Sequence, residues 1–332
     1  MAKNYLGKLD FYDPLYSFLR EEVYSTVKEP TFHVDHLSAN HLVYKYTEEK
    51  TRIAVIGKFY RLSEPRREKV ERIMAEYDNL LKIRSYGFIH YPNYVVKPIG
   101  REEQIGLALL EEYIRGKDLD YYLRKAIFNN DTDALKAKLK DLASFLAVFH
   151  EKTHNDRSVD LEPISGYFGR IINKLKSQML LSREDYSDLL RLMNKWLSLP
   201  FMQEAKEVIV HGDATPTNFI FTHDNEVVAI DLERMRMSDR LYDIGMVCGE
   251  IKHSFLWRRG DPYASESFIR YFLKNYSDYL GDKAFYEITR RNPFYMALTE
   301  LRIARNNWLD WDYRKRLIWE ARQCLYWGLK LR

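Results

Sequence analysis

The hydrophobic pattern of this 332-residue chain changes character once, between residues 112 and 117, and that change restricts the folds open to it. Before it, TFHVDHLSANHLVYKYTEEKTRIAVIGKFYR (31–61) alternates or clusters apolar residues with β-branched and aromatic ones, the texture of strands. Three strands are expected here, with a charged hairpin turn at Thr47–Thr51. Residues 65–84 switch to a helical period: Val70, Ile73, Met74, Tyr77, Leu80 and Leu81 share one face, and Pro65 suits a first helical turn. VVKPIG (95–100) and IGLALLEEYI (105–114) read as two further strands. After Gly116 the pattern is helical. DALKAKLKDLASFLAVFHE (133–151) is amphipathic, more helix follows near 169–180 and 184–197, and everything beyond Leu241 is helical and rich in aromatic residues. The expected class is α+β. A first domain, 1–113, carries a helical extension over 1–30, then a sheet and one long helix; a second, 114–332, is mostly helical.

Composition narrows the function. Fifty-two basic and 48 acidic residues leave a net charge of only +4, which gives no electrostatic case for nucleic acid as a partner. No run of about 18 apolar residues appears, so no membrane span is expected. The opening MAKNYLGKLDFYDPLY is too polar for a secretory signal, and a cytoplasmic location is expected. Cys248 and Cys324 lack metal-site spacing and sit among apolar residues, as reduced packing residues do.

The chemistry concentrates in VIVHGDATPTNFIFTHDNEVVAIDLE (208–233). Two short polar gaps interrupt apolar runs, one holding Asp213 and Asn218, the other Asp231 at the end of a hairpin-like FIF–THDNE–VVAID. Ordinary turns would account for any one of these residues. Together and in order, they resemble the catalytic loop of the aminoglycoside phosphotransferase and choline kinase-like enzymes, which share the protein-kinase fold. The matching residues are His211, Gly212, Asp213 and Asn218, then Ile230, Asp231, Leu232 and Glu233, then Asp239 and Asp243.

The resemblance implies a two-lobe, protein-kinase-like architecture and transfer of the γ-phosphoryl group of ATP to a hydroxyl of a small molecule. Asp213 is then the base that receives the hydroxyl proton, and Asn218 and Asp231 hold Mg²⁺ with hard oxygen donors. His211 orients the loop. On the nucleotide side, Lys58 in an apolar strand needs a charged partner; Glu76 is the expected one, with Glu71 a competitor one turn away. LALLEEYIRGKDL resembles the hinge strand of the family, so backbone groups of Glu112 to Ile114 would face adenine. The phosphate-covering turn departs from the family pattern, with Ser38, Ala39 and Asn40 but no glycine. His33, Asp35, His36 and His41 read as polar strand residues rather than a metal set, and His150 as a packing and hydrogen-bonding residue.

Toward the C-terminus Arg302, Arg305, Asp310 and Asp312 mix with tryptophans, so the segment does not select an acceptor. Trp308, Trp311, Trp319 and Trp327 are expected mainly to pack helices. Two alternatives share the fold: a protein kinase, and a pseudokinase that binds nucleotide without turnover.

Overall fold

The structure is a computed structural model that describes residues 4–38, 42–61, 63, 67–223 and 225–330. Ala39, Asn40 and His41 of the phosphate-covering turn, and Pro65, therefore lie outside the described residues. The chain divides into two compact units: Met1–Gly116 with Val228–Arg234, and Lys117–Val227 with Met235–Arg332.

The elements of the first unit are β1 (Asn4–Lys8), α1 (Pro14–Glu22), β2 (Phe32–His36), β3 (Leu42–Glu48), β4 (Ala54–Phe59), α2 (Arg67–Ser85), β5 (Ile89–His90), β6 (Asn93–Val95), β7 (Pro98–Glu102) and β8 (Leu107–Glu112). Six of the strands form one antiparallel sheet in the order β1-β2-β3-β4-β8-β7. Lys58 on β4 stands opposite Val43 on one side and Leu109 on the other.

The expected helical extension is shorter than the sequence suggested. Helix starts only at Pro14, where the Asp13 side chain accepts from the Leu15 N–H at 2.9 Å. Asn4–Lys8 instead pairs as an edge strand, with a bulge between Tyr5 and Gly7 and Gly7 at φ +116°, a conformation glycine tolerates. A nine-residue helix is marginal by propensity. Leu15, Tyr16 and Leu19 hold it by packing against Tyr24, Phe32, Val34, Tyr46, Val55, Leu107 and Leu110. Each fully buried side chain of this kind contributes roughly 1.5–3 kcal/mol. On α2 the buried positions are Glu76, Leu80 and Ile83, while Leu81 is exposed. The buried stripe thus runs through a carboxylate.

The second unit contains β9 (Lys117–Asp118), α3 (Leu119–Asn129), α4 (Thr132–Lys152), α5 (Glu162–Ser177), α6 (Arg183–Leu197), α7 (Pro200–Gln203), β10 (Glu207–Val210), β11 (Phe219–Phe221), β13 (Arg236–Asp239), α8 (Leu241–Arg259), α9 (Glu266–Asp278), α10 (Ala284–Ala304) and α11 (Trp311–Lys330); β12 (Val227–Ala229) leads back to the first unit. β10 pairs antiparallel with β13. Among the described residues no helix is long and apolar enough to cross a membrane.

Two glycines set the approach of α8 to α10. A Cβ on Gly245 would meet the backbone of Tyr295, and one on Gly249 the Thr299 side chain. Trp196 is fully buried, and its indole N–H donates to the Leu325 carbonyl at 2.9 Å. The other tryptophans correct the packing expectation: Trp308, Trp311, Trp319 and Trp327 are exposed; Trp308 precedes α11, and α11 buries Leu317, Ile318, Ala321 and Leu325 instead. Because backbone cannot retreat from a new methyl group, Gly245→Ala should destabilise by about 1–3 kcal/mol, despite a helix-propensity gain of about 1 kcal/mol. A urea titration would show this as a lower midpoint at unchanged slope.

Candidate active site

In the first unit one ammonium gathers three carboxylates. Lys58 Nζ lies 2.6 Å from Glu76, 3.3 Å from Asp231 and 3.5 Å from Glu111. The two glutamates are almost fully buried. Burial opposes the charge on Lys58, but Glu111, Glu76 and Asp231 outweigh it and hold its pKa well above the ordinary value. Glu76 is pushed up to about 8, chiefly by burial, with Lys58 pulling the other way. Three carboxyl groups thus share one ammonium, Glu111 is raised as well, chiefly by burial, and among the described residues Glu111 Oε2 has no hydrogen-bond partner. Glu71, the competing partner, instead pairs with Arg67 at 2.9 Å on the surface.

Asp231 takes a left-handed backbone conformation, φ +62°, unusual for a residue with a side chain and characteristic of functional loops. Its segment is tied down on both sides: Val96 N–H donates to the Ala229 carbonyl at 3.1 Å, and Asn79 Nδ2 to the Leu232 carbonyl at 2.9 Å.

The hinge residues behave differently from one another. The Glu112 side chain accepts from Tyr94 and from the Lys97 N–H. The backbone N–H groups of Glu112 and Tyr113 donate to Lys97 and Ala54. Ile114 is left with no backbone partner among the described residues, so a purine edge would have to meet Ile114 rather than the Glu112 N–H.

In the second unit β10 delivers the loop that begins at His211. Asp243, in the first turn of α8 and fully buried, accepts from His211 N at 2.7 Å, Gly212 N at 3.0 Å and His150 Nε2 at 3.2 Å. Burial alone would raise the Asp243 carboxyl; the hydrogen bonds from His150 and the loop backbone more than offset it and hold it below the ordinary value. His150 is itself anchored by the Tyr276 hydroxyl at 2.8 Å, as a packing residue should be. Asp239, four residues earlier, accepts from Arg291, the Tyr295 hydroxyl and the Leu241 N–H.

On this loop Asp213 and Asn218 come together. Asn218 Nδ2 donates to the Asp213 carbonyl at 2.9 Å. His211 Nδ1 accepts from the Asp213 N–H. A residue without a sequence-derived role completes the arrangement: Arg302 of α10 donates to Asp213 Oδ1 at 2.5 Å.

Beside the loop, Thr215, Pro216 and Thr217 line a cavity of about 220 Å³ together with Asp120, Glu250, His253, Ser254, Trp257, Arg258 and Trp308. Asp120 is ion-paired to Arg258 and Arg124. Glu250 has no hydrogen-bond or ion-pair partner among the described residues, and burial pushes it up to about 7. His253 is kept neutral by burial and by Arg258, its pKa lowered to about 4. Among the described residues no cluster of histidine, cysteine or acidic side chains is arranged as a metal set of its own, and His33 bonds to Tyr5 and Glu49 instead.

The sequence matches the profile of the phosphotransferase enzyme family over residues 37–286. The chain belongs to that family. Its fold is similar to that of Plasmodium vivax ethanolamine kinase (TM-score 0.61, 13% identity, 95% of this chain and 87% of that one). It is also similar to choline kinase from Cryptosporidium parvum (0.59, 15%, 95% and 93%) and to an aminoglycoside phosphotransferase solved with streptomycin and ATP (0.55, 13%, 97% and 96%). No match is found among curated protein sequences. The α+β, kinase-like fold and the family expected from the sequence are both borne out.

Asp243→Ala would leave His150 and two loop N–H groups without their acceptor. A loss of about 3–5 kcal/mol is expected, the scale for breaking a buried charged pair, measured by chemical denaturation of the purified chain.

Proposed function

We infer that this phosphotransferase moves the γ-phosphoryl group of ATP to a hydroxyl of a compact small molecule, with Mg²⁺ as the accompanying cation. The observation that carries the reading is Lys58 held between Glu76 and Asp231, the charge arrangement a phosphate-binding lysine and a cation-binding carboxylate need.

Asp231 and the amide oxygen of Asn218 would hold Mg²⁺, which accepts one or two protein ligands beside phosphate oxygens. When bound, that ion offsets the negative charge of the triphosphate. Lys58, kept charged by its neighbours, donates to phosphate oxygens. The backbone of Ile114 offers adenine an N–H and a carbonyl. Asp213 orients the acceptor hydroxyl and receives its proton as the new P–O bond forms. ATP as donor is favoured by the structural neighbour solved with it.

Pocket size and charge speak to the acceptor. A volume of about 220 Å³ falls below the roughly 300–1,000 Å³ of drug-sized sites. Trp257 and Trp308 offer aromatic surface, and Glu250 is a pocket carboxylate that makes no hydrogen bond or ion pair among the described residues, with Arg302 and Arg258 acting on it electrostatically. An alcohol bearing one ammonium group fits this description, and the ethanolamine and choline kinases among the structural neighbours agree with it.

Asp213→Ala should keep Mg²⁺–ATP affinity within about threefold and lower kcat by about 10²–10⁴, whereas Asp231→Ala should weaken Mg²⁺-dependent nucleotide binding at least about tenfold. Calorimetry and a coupled ATPase assay against alcohols, sugars and amino alcohols separate the two; equal loss of binding and turnover in Asp213→Ala would contradict its role. Glu250, raised to about 7, is an anion only above that pH. KM for an ammonium-bearing acceptor should therefore rise as pH falls from about 8 to about 6, and Glu250→Gln should flatten that dependence.

A further inference from the structure

Phosphoryl transfer needs positive charge close to the group in flight. The loop from Asp213 to Asn218 reads Asp-Ala-Thr-Pro-Thr-Asn and supplies none. The second unit brings one from elsewhere. Arg302 lies 89 positions along the chain from Asp213, yet its Nη2 donates to Asp213 Oδ1 at 2.5 Å. Both side chains are largely buried, 16% and 15% exposed. Burial disfavours the guanidinium charge, but Asp213 and Glu250 more than restore it, so Arg302 is permanently cationic.

The donor count is the second observation. A guanidinium carries five N–H donors. Arg302 uses one on Asp213 and points another at the Met246 sulfur, 3.0 Å away; a thioether is a weak acceptor. Its remaining donors have no acceptor among the described residues, and Glu250 lies close enough to act on it without a hydrogen bond. A structural arginine buried beside a helix normally spends its donors on carbonyls or carboxylates, as Arg314 does on Ala304 and Gln178. Arg302 keeps most of its own in hand beside the base.

Resting on the kinase reading above, we propose that Arg302 is a catalytic residue of the transfer: it holds Asp213 in aim before the acceptor arrives, and its remaining donors then bind the oxygens of the phosphoryl group. In that step the acceptor oxygen forms a bond to phosphorus. The bond from phosphorus to the bridging oxygen of the nucleoside triphosphate breaks, its electron pair leaving with the nucleoside diphosphate. The hydroxyl proton passes to Asp213. Arg302 loses and gains no proton; it offsets charge on the equatorial oxygens.

The test combines kinetics with a trap of the transition state. Arg302→Gln should lower kcat by about 10²–10³-fold, the usual loss for one preorganised donor, with KM for ATP changed less than about threefold. Arg302→Lys should recover about tenfold of the loss, since it returns the charge without the fork. Tight binding of ADP, Mg²⁺ and aluminium fluoride with 2-aminoethanol, read by calorimetry, should disappear in Arg302→Gln while ADP–Mg²⁺ binding persists. If Arg302→Gln forms the trap as tightly as the unmodified chain, or loses ADP binding in equal measure, the catalytic role is overturned and Arg302 is structural. If the unmodified chain forms no trap and binds no ADP, the kinase reading falls as well.

Discussion

The buried carboxylate of Asp243 is the contact on which the candidate site depends. It draws together a strand end, a helix start and a histidine from a third element, and so fixes the backbone on which Asp213 and Asn218 stand. A buried anion is costly unless its lone pairs are used. Here two loop N–H groups and His150 use them, and its place in the first turn of α8 adds the favourable end of the helix dipole. The spacing to Asp239 follows from the same logic. Asp239 closes β13, caps the Leu241 N–H and takes Arg291 and Tyr295, which locks α10 to the strand paired with the one that carries the loop. The two acids separate their tasks: one holds the loop, the other the scaffold behind it.

The Lys58 cluster follows the opposite rule. Its three carboxylates exceed what one ammonium can satisfy, Glu76 is driven up to about 8, and Asp231 sits in a left-handed conformation. A cluster built for stability alone would balance its charge. At Lys58 the balance is left uneven, and burial together with the crowding of like charges raises the two glutamates.

Sequence reasoning singled out residues whose signal is local. Asp213, Asn218 and Asp231 are separated by a loop and a short strand pair, so their order along the chain carried the information. Lys58 and Glu76 could be paired because a charge in an apolar strand and another in an apolar helix stripe each demand a partner. Glu111 escaped notice although a signal existed. In β4–β8 it stands opposite Ile56, and so lies diagonal to Lys58 on the same face of the sheet, whereas Glu112 points away and bonds to Tyr94 and Lys97. Two adjacent glutamates in a strand cannot serve the same side. Glu250 could have been flagged as a lone carboxylate in the apolar run of α8. Arg302 could not, since nothing local ties it to a loop 89 residues away. The tryptophans misled because aromatic density was read as core, whereas the apolar residues that α11 buries are Leu317, Ile318, Ala321 and Leu325. Arg316 lies over the Trp319 ring, 4.6 Å from its centroid.

The position of Arg302 links packing to chemistry. Its Nη1 touches Met246 of α8 and its Nη2 touches Asp213, so the guanidinium spans a gap whose width is the α8–α10 spacing. Gly245 and Gly249 set that spacing, by letting the Tyr295 backbone and the Thr299 side chain come to where a Cβ would otherwise be. Larger residues there would move α10 outward, and an arginine reaching from it would lose either the sulfur or the carboxylate. The glycines of α8 thus do more than permit a tight core. They fix the distance at which the Arg302 guanidinium from one helix meets Asp213 on a loop that another helix holds, so a change in packing between α8 and α10 is felt at that ion pair.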